Sequence, residues 1–246
     1  MHGDLGDRSS PRSGGALANF PITERWAPSH LDRLQLYSHG TPNGVKVSIA
    51  LEELRLPYEV HRVPLSDEYV KSPEFLSLSP NNKIPAIIDP DGPGGEPIGL
   101  FESGAILIYL AAKTGRLAGS SEAERYEILQ WLFFQVGGVG PMLGQFGFFH
   151  AFGGKDIEDP RPRDRYLSET RRLLNVIDGR LEGREWIAGD YSIADIALGP
   201  WLETIERFYK AEEITGYDGR PRVVDYVARF KTRPAVMRGW SVLSGE

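Results

Sequence analysis

Ile84-Pro85-Ala86 follows a short polar run, Asn81-Asn82-Lys83, and opens an apolar strand. X–Pro bonds tolerate the cis form far better than other peptide bonds. A cis bond here would turn the Ile84 backbone outward. Its N–H and C=O would then be free to pair with an extended tripeptide, as an added strand does. Taken alone, such a proline more often marks an ordinary strand start; the surrounding pattern reverses that. Downstream, Glu102-Ser103-Gly104-Ala105 reads as a helix start with Ser103 at the N-cap. Free N–H groups at a helix start attract a carboxylate, and Glu102 beside them attracts an ammonium. The pair therefore suits a zwitterionic head group, with a plain capping pair as the alternative. Lys83 could meet a carboxylate at the other end of such a peptide; as a lone lysine it is otherwise solvated surface. The chain has no cysteine, which excludes disulfides, thiolate metal sites and a protein thiol nucleophile. Any thiol chemistry must use a sulfur brought in by the ligand.

The elements that must position these residues can be read from periodicity. Leu34 to Tyr37 alternates as a strand, Thr41-Pro42-Asn43-Gly44 is a turn, and Pro42 suits the start of a helix running to about Leu54. Tyr58 to Val63 is a second strand, so the first unit is strand, helix, strand, with a right-handed crossover. Residues 64–80 read as loop with one short helix near Pro73–Leu76. Ile84–Asp89 and Ile98–Phe101 are strands flanking a Gly/Pro-rich hairpin, and Ser103–Lys113 is an apolar helix. The order βαβ, loop, ββα is thioredoxin-like. After a small-residue linker, 114–122, the pattern is helical: Glu124–Gln135, Asp164–Leu181, Ile193–Tyr209 and Val223–Phe230. The expected organisation is therefore an extension (1–33), a thioredoxin-like domain (34–113), the linker, and an α-helical bundle domain (123–246). The extension is flexible at its start, with Trp26 and Leu31 available to pin its end.

From Leu34 to Trp240 the chain resembles a glutathione transferase, and more narrowly the bacterial nu class related to fungal Ure2-like proteins. The matching segments are Thr41-Pro42-Asn43-Gly44, Ser79 to Ile87, Leu100 to Leu107, Gln135 to Gln145 and Tyr191 to Ala197. The resemblance implies that Thr41 and Asn43 face the glutathione sulfur as catalytic residues. Lys83 would bind the glycyl carboxylate, with Asn82 beside it. Ile84 would pair its backbone with the cysteinyl unit next to Pro85. Glu102 and Ser103 would hold the γ-glutamyl head, and Arg165 would reach the ligand from the second domain. Relatives carry a glutamine that touches glutathione where this chain has Val70, in Ser66-Asp67-Glu68-Tyr69-Val70, which puts that contact in doubt. Ser192-Ile193-Ala194-Asp195 is a capping-box variant whose role is folding.

A thiol with a pKa of about 8.5 is only a few per cent ionised at pH 7, and a drop of two units takes about 2.7 kcal/mol of preference for the charged form. Two or three charge-assisted hydrogen bonds from the Thr41 hydroxyl, the Asn43 amide and helix N–H groups can supply it. Tyr37, near the end of the first strand, is the rival thiolate stabiliser; otherwise it is a core aromatic. Gly137 to Gly154 breaks helix preference repeatedly. Such violations often mark sites, here a close approach of backbone to ligand or to a partner subunit. Phe146, Phe148, Phe149 and Phe152 would then wall an apolar pocket, with Tyr37, Phe146 and Phe149 the candidates for a second-substrate site; a kinked helix with core aromatics is the even alternative.

With a net charge of -6, nothing stands out as a basic nucleic-acid patch. No apolar run approaches the ~20 residues of a membrane span. A cytoplasmic location is the default. The expected function is an enzyme using glutathione as cosubstrate, without metal, to reduce disulfide bonds. Two glutathione molecules, or one glutathione disulfide, would occupy a site. Conjugation to an electrophile is the alternative within enzymes, and a non-catalytic glutathione-binding regulatory module is the alternative outside them. The resemblance also implies a homodimer.

Overall fold

The computed structural model describes residues 17–244. The expected flexible start falls at 1–16, outside the described residues. In chain order a short turn, Leu17–Asn19, leads to α1 (Ile22–Arg25), β1 (Leu34–Ser38), α2 (Pro42–Leu54), β2 (Tyr58–Arg62), α3 (Asp67–Val70), α4 (Pro73–Leu78), β3 (Ala86–Asp89), β4 (Ile98–Phe101) and α5 (Ser103–Thr114). Then come α6 (Glu122–Phe134), a π-helical turn (Gln135–Val139), α7 (Gly140–Ala151), α8 (Arg161–Arg180), α9 (Ile193–Thr204), a second π-helical turn (Ile205–Tyr209), α10 (Glu212–Thr215), α11 (Pro221–Lys231) and α12 (Pro234–Ser241). The strand order is β2-β1-β3-β4. β2 runs parallel to β1, β3 is antiparallel to β1, and Ile87 stands opposite both Leu36 and Leu100. This is the expected thioredoxin-like half followed by a helical half. No described helix is long and apolar enough to cross a membrane.

Side chains alternate across a strand, and the alternation in β1 divides the molecule into two cores. Leu34 and Leu36 face α2 and α5, in an apolar core that continues through Leu143, Leu174, Trp201 and Phe230 of the helical half. Tyr37 faces the other way, with Ala86, Ile88 and Phe75. That second face is closed by the segment before β1. Leu17 and Ile22 are fully buried on it and Trp26 packs edge-on against Tyr37 and Phe75. Burying each such aliphatic side chain contributes about 1.5–3 kcal/mol. The end of the expected extension is thus part of the core. Trp26 does pin it, but Leu31 is exposed and does not. Two short helices, α3 and α4, stand where one was expected.

Three helices of the second half, α7, α10 and α12, lie outside the four expected ones, and α7 is the kinked-helix alternative for the glycine-rich stretch. α7 contains Gly140, Gly144 and Gly147, which individually disfavour helix. A Cβ on Gly147 would lie 2.3 Å from the Tyr209 ring, and one on Gly144 3.3 Å from Trp201. These glycines let α7 seat two aromatic rings from α9 and the turn after it. That packing overrides propensity. α12 lies against α2. A Cβ on Gly239 would lie 2.8 Å from both N and Cα of Ile49, and Ser48 Oγ donates to Gly239 O at 2.6 Å. Arg233 pairs with Glu53 through two bonds, 2.7 and 3.1 Å, and Arg238 with Glu52 at 2.6 Å.

Two outcomes test this packing. Gly239→Ala should cost about 1–3 kcal/mol, the scale of overpacking against backbone that cannot move, seen as a lowered midpoint in thermal unfolding. The second concerns His61, buried and stacked on Tyr37 with ring centroids 4.6 Å apart. Gln35 spends its amide protons on the carbonyls of His30 and Arg33, so its oxygen must accept from His61 Nε2–H at 2.8 Å. Burial holds the His61 pKa below its ordinary value, with the Glu59 carboxylate opposing. The unfolded chain, with a histidine pKa of about 6.5, therefore takes up the proton first on acidification. Stability falls as pH drops below that value. His61→Phe keeps the stack and cannot titrate, so its stability in urea should decline less steeply than wild type between pH 7 and pH 5.

Candidate active site

The start of α2 leaves a small set of donors open. Thr41 is its N-cap, in extended conformation, and its Oγ1 accepts from Gly44 N–H at 3.3 Å. Val45 N–H goes to Thr41 O, and Pro42, the first helical residue, has no N–H. Of the four N–H groups a helix start leaves unpaired, that of Asn43 remains without a partner among the described residues. The Thr41 hydroxyl proton is also free, because Oγ1 is used only as an acceptor. The Asn43 amide is oriented unambiguously. Trp201 Nε1–H, a donor only, donates to Asn43 Oδ1 at 2.9 Å. Asn43 Nδ2 must therefore present its protons away from Trp201. Three donors, the Thr41 hydroxyl, the Asn43 backbone N–H and the Asn43 amide, belong to one helix terminus. They suit a developing anion such as a thiolate.

A second helix terminus lies beside the first. Glu102 is the N-cap of α5 with φ at 71°, in the left-handed region, and it makes no side-chain capping bond. Ser103 is thus the first residue of the helix rather than its cap, which corrects the expectation. Sparsely populated backbone of this kind costs about 1–3 kcal/mol and concentrates at functional positions. Ile106 N–H bonds Glu102 O, whereas the N–H groups of Ser103, Gly104 and Ala105 have no partner among the described residues. This is the form of a carboxylate or phosphate site. The Glu102 side chain is exposed, and Asn81 Nδ2 donates to its Oε1 at 3.4 Å. Asn81 thereby enters the constellation that sequence reading assigned to Asn82. Asn82 itself is half-buried at φ 51° with its N–H on Ser79 O.

The loop between them carries the peptide-pairing edge. Ile84-Pro85 is cis. No backbone–backbone hydrogen bond among the described residues uses the N–H or C=O of Ile84. Ser79 Oγ donates to Lys83 O at 2.8 Å, and the Lys83 side chain is exposed without an ion-pair partner among the described residues. Thr41, Asn43, Ile84, Glu102 and Ser103 all stand on element ends or loops tied to α2 and α5.

Beneath the two helix starts is a residue that sequence reading passed over. Lys46 is 1% exposed. Its Nζ donates to Gln135 Oε1 at 2.6 Å and lies 3.4 Å from Ser103 Oγ. Burial pushes its pKa down to about 7, with the Glu102 carboxylate acting in the opposite direction. Gln135 opens the π-helical turn, a feature that often marks functional positions, and its Nε2 is buried without a partner among the described residues. Signals for these residues existed. Lys46 is the one charge in the otherwise apolar run Val45 to Leu51 apart from the hydroxyl of Ser48, and Trp201 follows a proline inside a helix.

Several expected site residues stand elsewhere. Tyr37 is 0% exposed, on the sheet face opposite α2, with its hydroxyl buried. Burial pushes its pKa well up. It belongs neither to the thiolate site nor to a substrate pocket. Phe146 is also fully buried, stacked on His150 and edge-on to Tyr209, so it is core rather than pocket wall. Phe149 is half-buried and stacks on Tyr166 with ring centroids 5.8 Å apart. Phe148 and Phe152 are the exposed aromatics of this stretch. Arg165 is exposed near the start of α8 without a hydrogen-bond or ion-pair partner among the described residues. Val70 is buried against the second core, so this position contributes packing rather than a polar contact. Among the described residues no group of His, Asp and Glu is placed to hold a metal ion.

The Asn43 orientation gives a test. Trp201→Phe keeps most of the ring volume but frees Asn43 Oδ1. Turnover in a glutathione-dependent assay should fall several-fold, with a small change in glutathione KM and an unchanged circular dichroism spectrum. The scale is one lost hydrogen bond, about 0.5–1.5 kcal/mol.

The chain matches the family model "Glutathione S-transferase, N-terminal domain" over residues 41–113 and "Glutathione S-transferase, C-terminal domain" over 141–234. It is 47% identical over 204 residues to the disulfide-bond oxidoreductase YfcG of Escherichia coli, covering 82% of this chain and 92% of that one. A Pseudomonas putida glutathione transferase, solved with one glutathione disulfide bound per subunit, is 56% identical with a TM-score of 0.91, over 93% of this chain and 99% of that one. A Burkholderia graminis glutathione transferase, solved with two glutathione molecules per subunit, is 57% identical with a TM-score of 0.91, over 95% and 97%. With both domain models matched and a fold shared almost end to end at this identity, the chain belongs to the glutathione S-transferase family.

Proposed function

We propose that this chain reduces disulfide bonds with glutathione, holding two glutathione molecules or one glutathione disulfide in the cradle formed by α2, the Ile84-Pro85 loop and α5. The observation that carries the reading is the donor set at the α2 terminus, fixed by Trp201 on Asn43, in a chain with no cysteine. The sulfur that this set stabilises must therefore belong to the ligand. The glutathione disulfide and paired glutathione seen in the P. putida and B. graminis structures support two sulfurs in one site. The disulfide-bond oxidoreductase name of the E. coli relative supports the reaction class.

Glutathione is assigned by charge. Its γ-glutamyl carboxylate meets the open N–H groups of α5 and the Ser103 hydroxyl, and its ammonium meets Glu102. The cysteinyl backbone pairs with Ile84, and the glycyl carboxylate meets Lys83, with Asn82 in the same loop. Arg165, near the start of α8, reaches the ligand from the second domain, a role supported by the resemblance alone. The Thr41 hydroxyl, Asn43 N–H and Asn43 amide stabilise the thiolate. That thiolate attacks one sulfur of the substrate disulfide, forming a mixed disulfide and releasing one substrate thiolate, which takes up a proton. A second glutathione thiolate attacks the glutathione sulfur of the mixed disulfide. Glutathione disulfide forms and the second substrate thiol leaves. Two electrons pass from two glutathiones to one disulfide. Conjugation to an electrophile is the second reading, favoured by the exposed Phe148 and Phe152 as an apolar wall.

Glutathione-dependent reduction of 2-hydroxyethyl disulfide and conjugation of chlorodinitrobenzene, measured on one preparation, separate the two. Disulfide reduction should dominate. Thr41→Ala and Asn43→Ala should each lower it about ten-fold, the scale of a lost charge-assisted hydrogen bond. Tyr37→Phe should leave it unchanged. Dominant conjugation, or full activity in both Thr41→Ala and Asn43→Ala, would overturn the reading.

A further inference from the structure

We propose that Lys46 is a positioning residue that sets the direction of the Ser103 hydroxyl, so that its protonation state tunes how tightly the γ-glutamyl carboxylate is held. The inference rests on the reading of this site as the glutathione cradle. It starts from what each group can donate and accept. An ammonium has three protons and no acceptor. One proton goes to Gln135 Oε1 at 2.6 Å and one faces Ser103 Oγ at 3.4 Å. While Lys46 is charged, Ser103 Oγ can only accept from it. The hydroxyl proton of Ser103 must then point away, toward the open N–H groups of α5 where the carboxylate binds. A neutral amine has a lone pair. It keeps its bond to Gln135 and accepts the Ser103 proton, which turns the hydroxyl inward and presents only lone pairs to the carboxylate.

The surroundings permit both states. Lys46 is fully enclosed by α2, α5 and the π-helical turn, and burial brings its pKa down to about 7. Glu102 is the charged group that bears on it, favouring the ammonium. Ser103 and Gln135 are neutral. Trp201, the α9 residue bonded to Asn43 at the start of α2, is neutral too. The remaining acids on and around α2 are already partnered: Glu52 with Arg238, Glu53 with Arg233, and Glu203 with Arg207 and Trp240. The geometry therefore couples a buried proton to one ligand contact.

The test is titration calorimetry with S-methylglutathione, whose sulfur cannot ionise. Wild type should bind more weakly as pH rises from 6 to 8. Lys46→Met should bind about ten-fold more weakly at pH 6, the scale of a lost charge-assisted hydrogen bond, with a flatter pH profile. Ser103→Ala should show the same loss and the same flattening. The double variant should bind no more weakly than Ser103→Ala alone, because Lys46 acts through that hydroxyl. Lys46→Gln, whose amide can still donate to Ser103 Oγ but cannot titrate, serves if Lys46→Met does not fold: it should bind about as tightly as wild type at pH 6 and lose the pH dependence. A wild-type profile as flat as those of the variants overturns the inference. So does a double variant whose loss is the product of the single losses, or a Ser103→Ala protein that keeps the wild-type profile. Failure of wild type to bind S-methylglutathione at any pH overturns the cradle reading itself, and this inference with it.

Discussion

Helix α2 is enclosed on nearly every side, and the rest of the structure follows from that. Its residues Gly44 to Leu51 are buried without exception. β1 and α5 cover it from the thioredoxin-like half, α9 and α12 from the helical half. A helix buried all round along its body is a core element rather than a surface one. Because two halves of the chain meet on one helix, the core is continuous between them. The first turn of that helix emerges between both halves, and there Thr41 and Asn43 stand. The start of α2 is held rigidly because the body of α2 cannot move without opening the core that the two halves share.

The site is built from helix ends rather than from charged side chains. Two N-termini, α2 and α5, leave four backbone N–H groups without partners among the described residues. Dipoles fixed in this way favour anions and need little reorganisation when an anion arrives. The arrangement carries costs that local chemistry offsets. Glu102 adopts a left-handed backbone, and Lys46 is buried as a cation or an amine. Gln135 and Ser103 satisfy Lys46, so removal of either partner leaves a buried polar group exposed to the full desolvation penalty. Strained backbone of the kind seen at Glu102 concentrates at functional positions. The position of Glu102 and Lys46 at the two helix starts is consistent with a functional role.

The helical half does more than cover the first. Trp201 fixes the orientation of the Asn43 amide, and Gln135 holds the lysine beneath the α5 terminus. Both depend on the glycine-rich stretch. A Cβ on Gly140 would lie 2.9 Å from Gln135 Nε2 and 3.4 Å from the Trp201 ring. The glycines thus admit side chains of the same subunit. The close backbone approach expected of them is real, but its object is Trp201 and Tyr209.

Local pattern determined the strands, the crossover helix, the cis Ile84-Pro85 bond and the Glu102-Ser103 terminus, because each depends on neighbours in sequence. Alternation marked the strands, proline and the polar run marked the loop, and small residues after an acid marked the helix start. The absence of cysteine fixed the source of any sulfur outright. Tertiary structure decided what sequence distance hides. Tyr37 and Thr41 are four positions apart, yet pleat alternation sends Tyr37 to the opposite face of the sheet. Phe146 looked like a pocket wall because its aromaticity is visible in sequence while its enclosure by Tyr209 and His150 is not. Asn43 with Trp201, and Lys46 with Gln135, are separated by 158 and 89 residues respectively. A hydrogen bond over such separations leaves no periodic signal. Its donor and acceptor are chosen only when the two halves close around α2.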